Sequence, residues 1–192
     1  MAPLRVLCLH GWRTSAGVLQ QQTQALQRAF GERAEFVFVD APHAASGPAD
    51  EAVRLLYARH APFYQWWDAV QVEAAAGARK QWRYDGFQLS LDLLVGRVHA
   101  LGAVDVTKHL FEDAFGDPRR LDVASVHLIG KQDPRVANAD KLFEHCAPSA
   151  GRVKFVHEEG HRFPSLARHR EMYDEIADTV VALAASGGAA RF

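Results

Sequence analysis

The feature that most restricts the fold is a series of short apolar runs, each ending in a loop of polar residues and glycine. Val6 to Leu9 closes on His10-Gly11-Trp12, and Phe36 to Val39 closes on Asp40-Ala41-Pro42-His43. Val126 to Ile129 closes on Gly130-Lys131-Gln132-Asp133, and Val153 to Val156 runs into His157 through His161. Runs this short read as β-strands, and the first is apolar enough to suit a strand covered on both faces by helices. The first, Leu4 to Leu9, is interrupted only by Arg5. From about Gly17 to Phe30, Leu19, Ala25, Leu26 and Phe30 stand amid glutamines as the apolar face of an amphipathic helix, with Gly31 as its stop. Strand, helix and strand in that order predict a βαβ unit, with a parallel pair and a right-handed crossover.

The rest of the chain extends the alternation. Tyr84 to Leu101 reads as a helix with Leu89, Leu91, Leu93, Leu94, Val98 and Leu101 on its apolar face and Gly102 at its end. The last third predicts a strand over Val123 to Ile129, a helix from about Asn138 to His145, a strand over Val153 to Val156, and a helix from Ser165 to about Ala184 with Ser165 as N-cap. Between Ala44 and Arg83 the periodicity weakens. Pro48, Pro62, the aromatic cluster Phe63, Tyr64, Trp66 and Trp67, and the run Ala74-Ala75-Ala76-Gly77 mark an insertion over the strand ends. The expected class is α/β, a doubly wound, mostly parallel sheet in a single domain over residues 1–185. Residues 186–192 are small and Gly-rich, as a flexible tail is.

With 192 residues, 48% of them hydrophobic, the chain can bury a sizeable core. Its 22 basic and 23 acidic residues nearly cancel and form no basic window, which argues against a nucleic-acid partner. Cys8, inside the first strand, and Cys146, at a helix end, make neither a disulfide framework nor a metal spacing, so a reducing, cytoplasmic setting is expected. No stretch approaches the roughly 20 apolar residues of a membrane-spanning helix. The run Val6 to Leu9 is too short for a signal-peptide core.

The chemistry lies in the loops. An acidic residue, Asp133, and then a histidine, His161, each just after a strand, are the second and third members of a Ser, Asp, His set in the chain order of α/β-hydrolases. The first member belongs in Gly-x-Ser-x-Gly on a strand-to-helix turn, and none of the seven serines stands in that frame. Ser90, in Asp85-Gly86-Phe87-Gln88-Leu89-Ser90, echoes such a turn but falls inside an apolar-periodic helix. Cys8 is read as a small core residue and Cys146 as packing or exposed. His157-Glu158-Glu159-Gly160-His161 fits the zinc-protease pattern His-Glu-x-x-His in letters only, because the segment leaves a strand and contains Gly160. His10, Asp40 and His43 make no better metal site, so no metal is expected. Trp66 and Trp67 are read as packing more than as an acyl pocket, and Glu158, Glu159 and Arg162 as a solvated loop rim.

Leu9-His10-Gly11-Trp12-Arg13, Phe38-Val39-Asp40-Ala41-Pro42-His43, Trp66-Trp67-Asp68, His127-Leu128-Ile129-Gly130 through Asp133, and Glu159-Gly160-His161-Arg162-Phe163-Pro164 occur in one order. Together they resemble the FSH family of serine hydrolases, the ovarian-cancer-associated-gene-2-type esterases, over most of residues 4–180. The resemblance implies that Asp133 is the triad acid and His161 the general base. It implies a backbone N–H near Gly11 and Trp12 in the oxyanion hole, His10 and His43 beside the substrate, and no cofactor. It further implies carboxylesterase action on small or medium- to long-chain acyl esters. Beside it, His10 also reads as a structural loop residue.

The departure from the family falls between Asp105 and Val123. Members are expected to continue there through a strand, a Gly-Phe-Ser-Gln-Gly elbow, a helix and another strand, which takes about 30 residues or more. Here Val106-Thr107-Lys108-His109-Leu110-Phe111 follows, and the acid strand begins soon after. The expected sheet therefore lacks its central nucleophile strand and the strand after it. The edges facing that gap would carry unpaired N–H and C=O groups at roughly 1 to 3 kcal/mol each unless they close up. The expected activity is impaired or absent. The alternatives are a non-catalytic pseudoenzyme that binds an acyl ligand or partner, and a truncated isoform or gene model.

Overall fold

The computed structural model describes residues 2–72, 81–100 and 124–186. The Ala74 to Gly77 run, the helix end at Leu101 and Gly102, the departure after Asp105, Val123 and residues 187–192 lie outside these. The described residues form a mixed α/β chain whose strands pair as four two-stranded ladders. Strand β1 (Leu4–Leu9) pairs with β2 (Ala34–Val39). Strands β3 (His43–Ala44) and β4 (Tyr64–Gln65) are antiparallel, as are β5 (Asp68–Val72) and β6 (Gln81–Asp85), whereas β7 (Ser125–Gly130) and β8 (Arg152–His157) are parallel. Two compact units divide the chain: one gathers the residues before Arg5, Thr23–Glu35 and the described residues from 124 on, the other Arg5–Gln22 and the described residues from Phe36 to Ala100.

The first unit is built on a strand, helix, strand repeat. The β7–β8 register runs from Ser125 opposite Arg152 to Gly130 opposite His157, so both strands end at the same level and deliver their following loops side by side. Helix α5 (Val136–His145) connects them, two residues longer at its start than the pattern predicts. The Arg152 guanidinium donates to the Phe143 and Cys146 carbonyls at 2.7 and 3.2 Å, satisfying the end of α5, and lies 4.4 Å from the Phe143 ring. Cys146, just beyond, is buried.

Helix α6 (Leu166–Ala185) buries Tyr173, Ile176 and Ala177, a spacing of three and four that marks one helix face. It packs on α2 (Gln24–Phe30), which contributes buried Phe30. The Tyr173 hydroxyl donates to the Pro164 carbonyl at 2.7 Å, and burial raises its pKa to about 12. Ser165 precedes α6 as expected, yet its side chain makes no capping bond.

In the second unit the expected helix from Gly17 to Phe30 is broken. The structure has α1 (Ala16–Gln22) and then α2, which belongs to the other unit, with Thr23 between them at φ −94° and ψ 8°. Asp40, considered above as a metal ligand, accepts the Ala16 N–H at 2.7 Å at the first turn of α1, where a carboxylate is favoured. The insertion is more regular than its sequence suggests. It holds α3 (Glu51–Leu56), whose N-cap Asp50 accepts the Ala52 N–H at 2.9 Å, and the β5–β6 ladder. Tyr84 and Asp85, expected in the helix, close β6, and α4 (Phe87–Ala100) begins after Gly86, whose φ of 82° favours glycine.

Candidate active site

Asp133 and His161 meet. Each stands in the loop after one strand of the β7–β8 pair, and His161 Nδ1–H donates to Asp133 Oδ2 at 2.6 Å. The approach is built into the backbone. The Lys131 N–H donates to the His157 carbonyl at 2.8 Å and the Gln132 N–H to the Glu159 carbonyl at 3.2 Å, so the ladder continues into the loops. Gly130 permits this, since a Cβ there would collide with the carbonyl oxygens of Glu159 and Gly160.

Asp133 is fixed and His161 is open. Asp133 Oδ1 accepts the Arg135 N–H at 2.8 Å, and the Asp133 carbonyl accepts the Val136 N–H at 3.0 Å, so the turn that starts α5 holds the carboxylate. The His161 bond, then the Arg135 N–H, keep the Asp133 carboxyl below its ordinary range. The Asp133 side chain is 12% exposed and that of His161 69% exposed. Holding the proton on Nδ1 leaves Nε2 as the lone-pair nitrogen of an exposed ring, the arrangement of a general base oriented by a carboxylate.

Glu159 is a correction. Sequence reading puts it on a solvated rim with Glu158 and Arg162, but its side chain is only 8% exposed. Its carboxylate accepts the Ser165 N–H at 3.2 Å and pairs with Arg162 at 2.7 Å and Arg168 at 3.4 Å, while His169 Nε2 lies at 3.8 Å. Ser165 stands at the N-cap of α6 as expected, but the bond made there is from its own N–H to Glu159, six residues upstream, and not from its side chain. The Ser165 N–H, followed by the arginines, holds the Glu159 carboxyl below its ordinary range. Glu158 does lie at the surface, paired with Lys131 at 2.5 Å. No sequence signal marks Glu159 as buried, because its partners come from a turn and a helix beyond it. His157, the other histidine of the zinc-like pattern, ends β8 and is buried, so it shares no helix face with His161.

The second unit holds the other expected residues. His10 is buried, its Nε2 accepting the Ala41 N–H at 3.0 Å and its Nδ1 lying 2.9 Å from the Gly11 carbonyl and 3.2 Å from Thr14 Oγ1. Burial lowers its pKa, which suits a neutral ring. Trp66 Nε1–H donates to the His10 carbonyl at 2.9 Å with the two rings 5.3 Å apart, and Trp67 packs edge-on to Phe87 and Tyr84. This geometry fits the packing role for both tryptophans and the structural role for His10. Trp12 is half-exposed, and Arg13, at φ 52°, folds over its ring at 5.2 Å. Arg13 also donates to Ser46 Oγ at 3.1 Å. His43 Nε2 lies 2.9 Å from the Gly86 carbonyl and lines a cavity of about 460 Å³ with Pro42, Ala44, Gln65, Asp68, Asp85 and Gly86.

The hydroxyls of five of the seven serines are engaged elsewhere. Ser90 is buried in α4, where its hydroxyl donates to the Trp66 carbonyl. Ser15 donates to the His60 carbonyl at 2.9 Å, Ser46 to Asp68 at 2.7 Å, and Ser186 to the Leu183 carbonyl at 2.9 Å. Ser125 bonds His127 at the start of β7, the far end of the strand from Asp133. Cys8 lies in β1, and burial raises its pKa to about 11, the reverse of an activated thiol.

A model of the serine hydrolase (FSH1) family matches residues 1–107 and 97–173, in two pieces that overlap over 97–107, just before and into the start of the departure after Asp105. Esterase OVCA2 of Homo sapiens is 25% identical over 219 aligned positions, which cover 92% of this chain and 96% of that protein. That alignment is longer than the 192-residue chain, so it opens gaps within it. Esterase OVCA2 of Bos taurus is 24% identical over 91% of this chain and 97% of its own length, and esterase dbaE of Emericella nidulans is 39% identical over 32% of this chain and 22% of its own.

Proposed function

The chain belongs to the serine hydrolase (FSH1) family, and from that premise we propose that it retains the acid and base of a carboxylesterase without the serine they serve. The observation that carries this reading is the 2.6 Å bond between Asp133 and His161 at the ends of two paired parallel strands. In a family member with a nucleophile, a serine Oγ attacks the acyl carbonyl, His161 Nε2 takes that proton and returns it to the leaving alcohol, and Asp133 holds the imidazole. Backbone N–H groups at Gly11 and Trp12 are assigned to the oxyanion by resemblance. The substrate class is a small or medium- to long-chain acyl ester, and the setting is cytoplasmic.

With none of its seven serines in a Gly-x-Ser-x-Gly frame, the chain supplies no elbow hydroxyl to form an acyl-enzyme, and in this reading the Asp133–His161 pair has no covalent step. The two-piece family match and the gapped alignment support loss of the elbow block from the doubly wound sheet. They are equally what a truncated isoform or gene model would give. A second reading, ligand binding without turnover, is favoured by the cavity beside His43 in the second unit.

One experiment on purified, folded protein tests both. A fluorophosphonate probe with mass-spectrometric readout is expected to leave every serine unlabelled, and p-nitrophenyl acyl esters are expected to show no turnover that His161→Ala removes. An adduct on one serine, with turnover lost in His161→Ala, would overturn the proposal. A rise in Tm with a non-hydrolysable medium-chain acyl analogue, without turnover, would favour the binding reading.

A further inference from the structure

The group whose position the catalytic pair does not account for is Glu159. A carboxylate is not left nearly buried without strong partners. Here it accepts a backbone N–H from Ser165 and faces Arg162, Arg168 and His169. These partners lie in different structures. Arg162 follows His161 directly, and Ser165, Arg168 and His169 form the entry and first turn of α6. That turn departs from the rest of the helix at His169, with φ −131° and ψ 30°. The backbone of Glu159 is engaged on the opposite side, its carbonyl accepting the Gln132 N–H beside Asp133 and its own N–H donating to buried His157 Nδ1 at 3.2 Å.

One residue therefore joins three parts: its side chain fastens the start of α6, its carbonyl fastens the acid loop, and its N–H fastens the end of β8. Gly160 and His161 are the next two positions of that same loop. Where Glu159 is held, the direction in which the chain carries His161 toward Asp133 is largely fixed. The exposed imidazole makes few contacts of its own that could do this, since its side chain is 69% exposed.

We propose that Glu159 is a positioning residue for the Asp133–His161 pair, acting through the His161 loop and not by contact with a substrate. The proposal rests on the reading of Asp133 and His161 as acid and base. In it, the Glu159 carboxylate holds the loop so that His161 Nδ1–H stays on Asp133 Oδ2 and Nε2 keeps its lone pair. Glu159→Gln keeps an acceptor for the Ser165 N–H but loses the ion pairs, and Glu159→Ala loses both.

The test needs no turnover. The ¹⁵N shifts of the His161 ring in the full chain report which nitrogen carries the proton, in the native chain and in Asp133→Asn, Glu159→Gln and Glu159→Ala, each checked for a cooperative thermal transition. The native chain is expected to hold the Nδ1–H tautomer. Asp133→Asn and Glu159→Ala are expected to move the ring signals to those of a free, solvent-exposed imidazole, with Glu159→Gln between. Exchange of the Gln132 amide is expected to quicken at least tenfold in Glu159→Ala, because its acceptor carbonyl belongs to the released residue. If Asp133→Asn moves the tautomer and folded Glu159→Ala does not, the positioning role is overturned while the acid and base reading stands. If Asp133→Asn leaves the tautomer unmoved, that reading falls and the proposal with it. Should Glu159→Ala fail to fold, Glu159→Gln is read in its place. Loss of folding in both overturns the proposal in favour of a purely structural Glu159.

Discussion

At Gly130 the demand of the site on a single position is largest. The carbonyl oxygens of Glu159 and Gly160 occupy the space a Cβ would fill, and both belong to backbone that cannot swing aside as a side chain does. Gly130→Ala is expected to push the acid and histidine loops apart, with a stability loss of about 1–3 kcal/mol in urea unfolding and loss of the His161 Nδ1–H signal. A variant of native stability with that signal intact would show that the loops part without cost. The same residues show what sequence could carry. Asp133 and His161 were legible because strand-end loops are short and each residue follows an apolar run directly. Glu159 was not, because its burial is set by Ser165, Arg168 and His169, whose arrival depends on how α6 turns back. His10 was legible as a loop residue, but its engagement on both ring nitrogens depends on Ala41 and Thr14.

Among the elements, α6 shows how unequally neighbouring positions of one helix stabilise the fold. Ile176 is buried in α6, the helix that packs on α2, and Ile176→Ala is expected to cost about 2–5 kcal/mol through lost burial and the cavity left behind. Asp178, two residues on, pairs with Arg33 at 2.5 Å, yet its side chain is 71% exposed and solvent screens it. Asp178→Ala is expected to cost no more than about 1 kcal/mol. Urea unfolding of the two variants checks the contrast, and equal losses would refute it. Helices and strands in the last third are readable because short apolar runs give way to segments whose apolar residues recur three and four apart. The break at Thr23 is not, since threonine is only a mild helix breaker and the apolar positions carry on past it. The β5–β6 ladder is hard to read from sequence for a different reason. Gln81-Trp82-Arg83-Tyr84-Asp85 alternates polar and aromatic residues, but both of its aromatics are exposed, so the alternation carries no inward face.

Across the whole molecule, the described titratable groups with shifted pKa values set the pH range of stability. Burial lowers the pKa values of His10, His127 and His157 below 6.5, so the unfolded chain protonates these rings before the folded chain does. Their contribution is complete above about pH 6.5 and declines as pH falls below it. Glu159 and Asp133 extend the decline. Both are held below their ordinary 4.5 and 3.8, so their contributions are present above those values and are lost as pH falls through the lower folded ones. On the alkaline side the sign reverses. Burial raises Cys8 from 9.0 to about 11 and Tyr173 from 10.0 to about 12, so the unfolded chain releases those protons first and stability falls above about pH 9. A plateau between about pH 6.5 and 9 is therefore expected in urea midpoints, with an acid limb in two stages. In His157→Gln the upper stage is expected to shrink while the lower one, set by the carboxylates, keeps its position. A midpoint that rises between pH 6.5 and 5 would contradict the direction assigned to the histidines. An acid limb unchanged in Asp133→Asn would contradict the link between the Asp133–His161 bond and the stability of the fold that carries it.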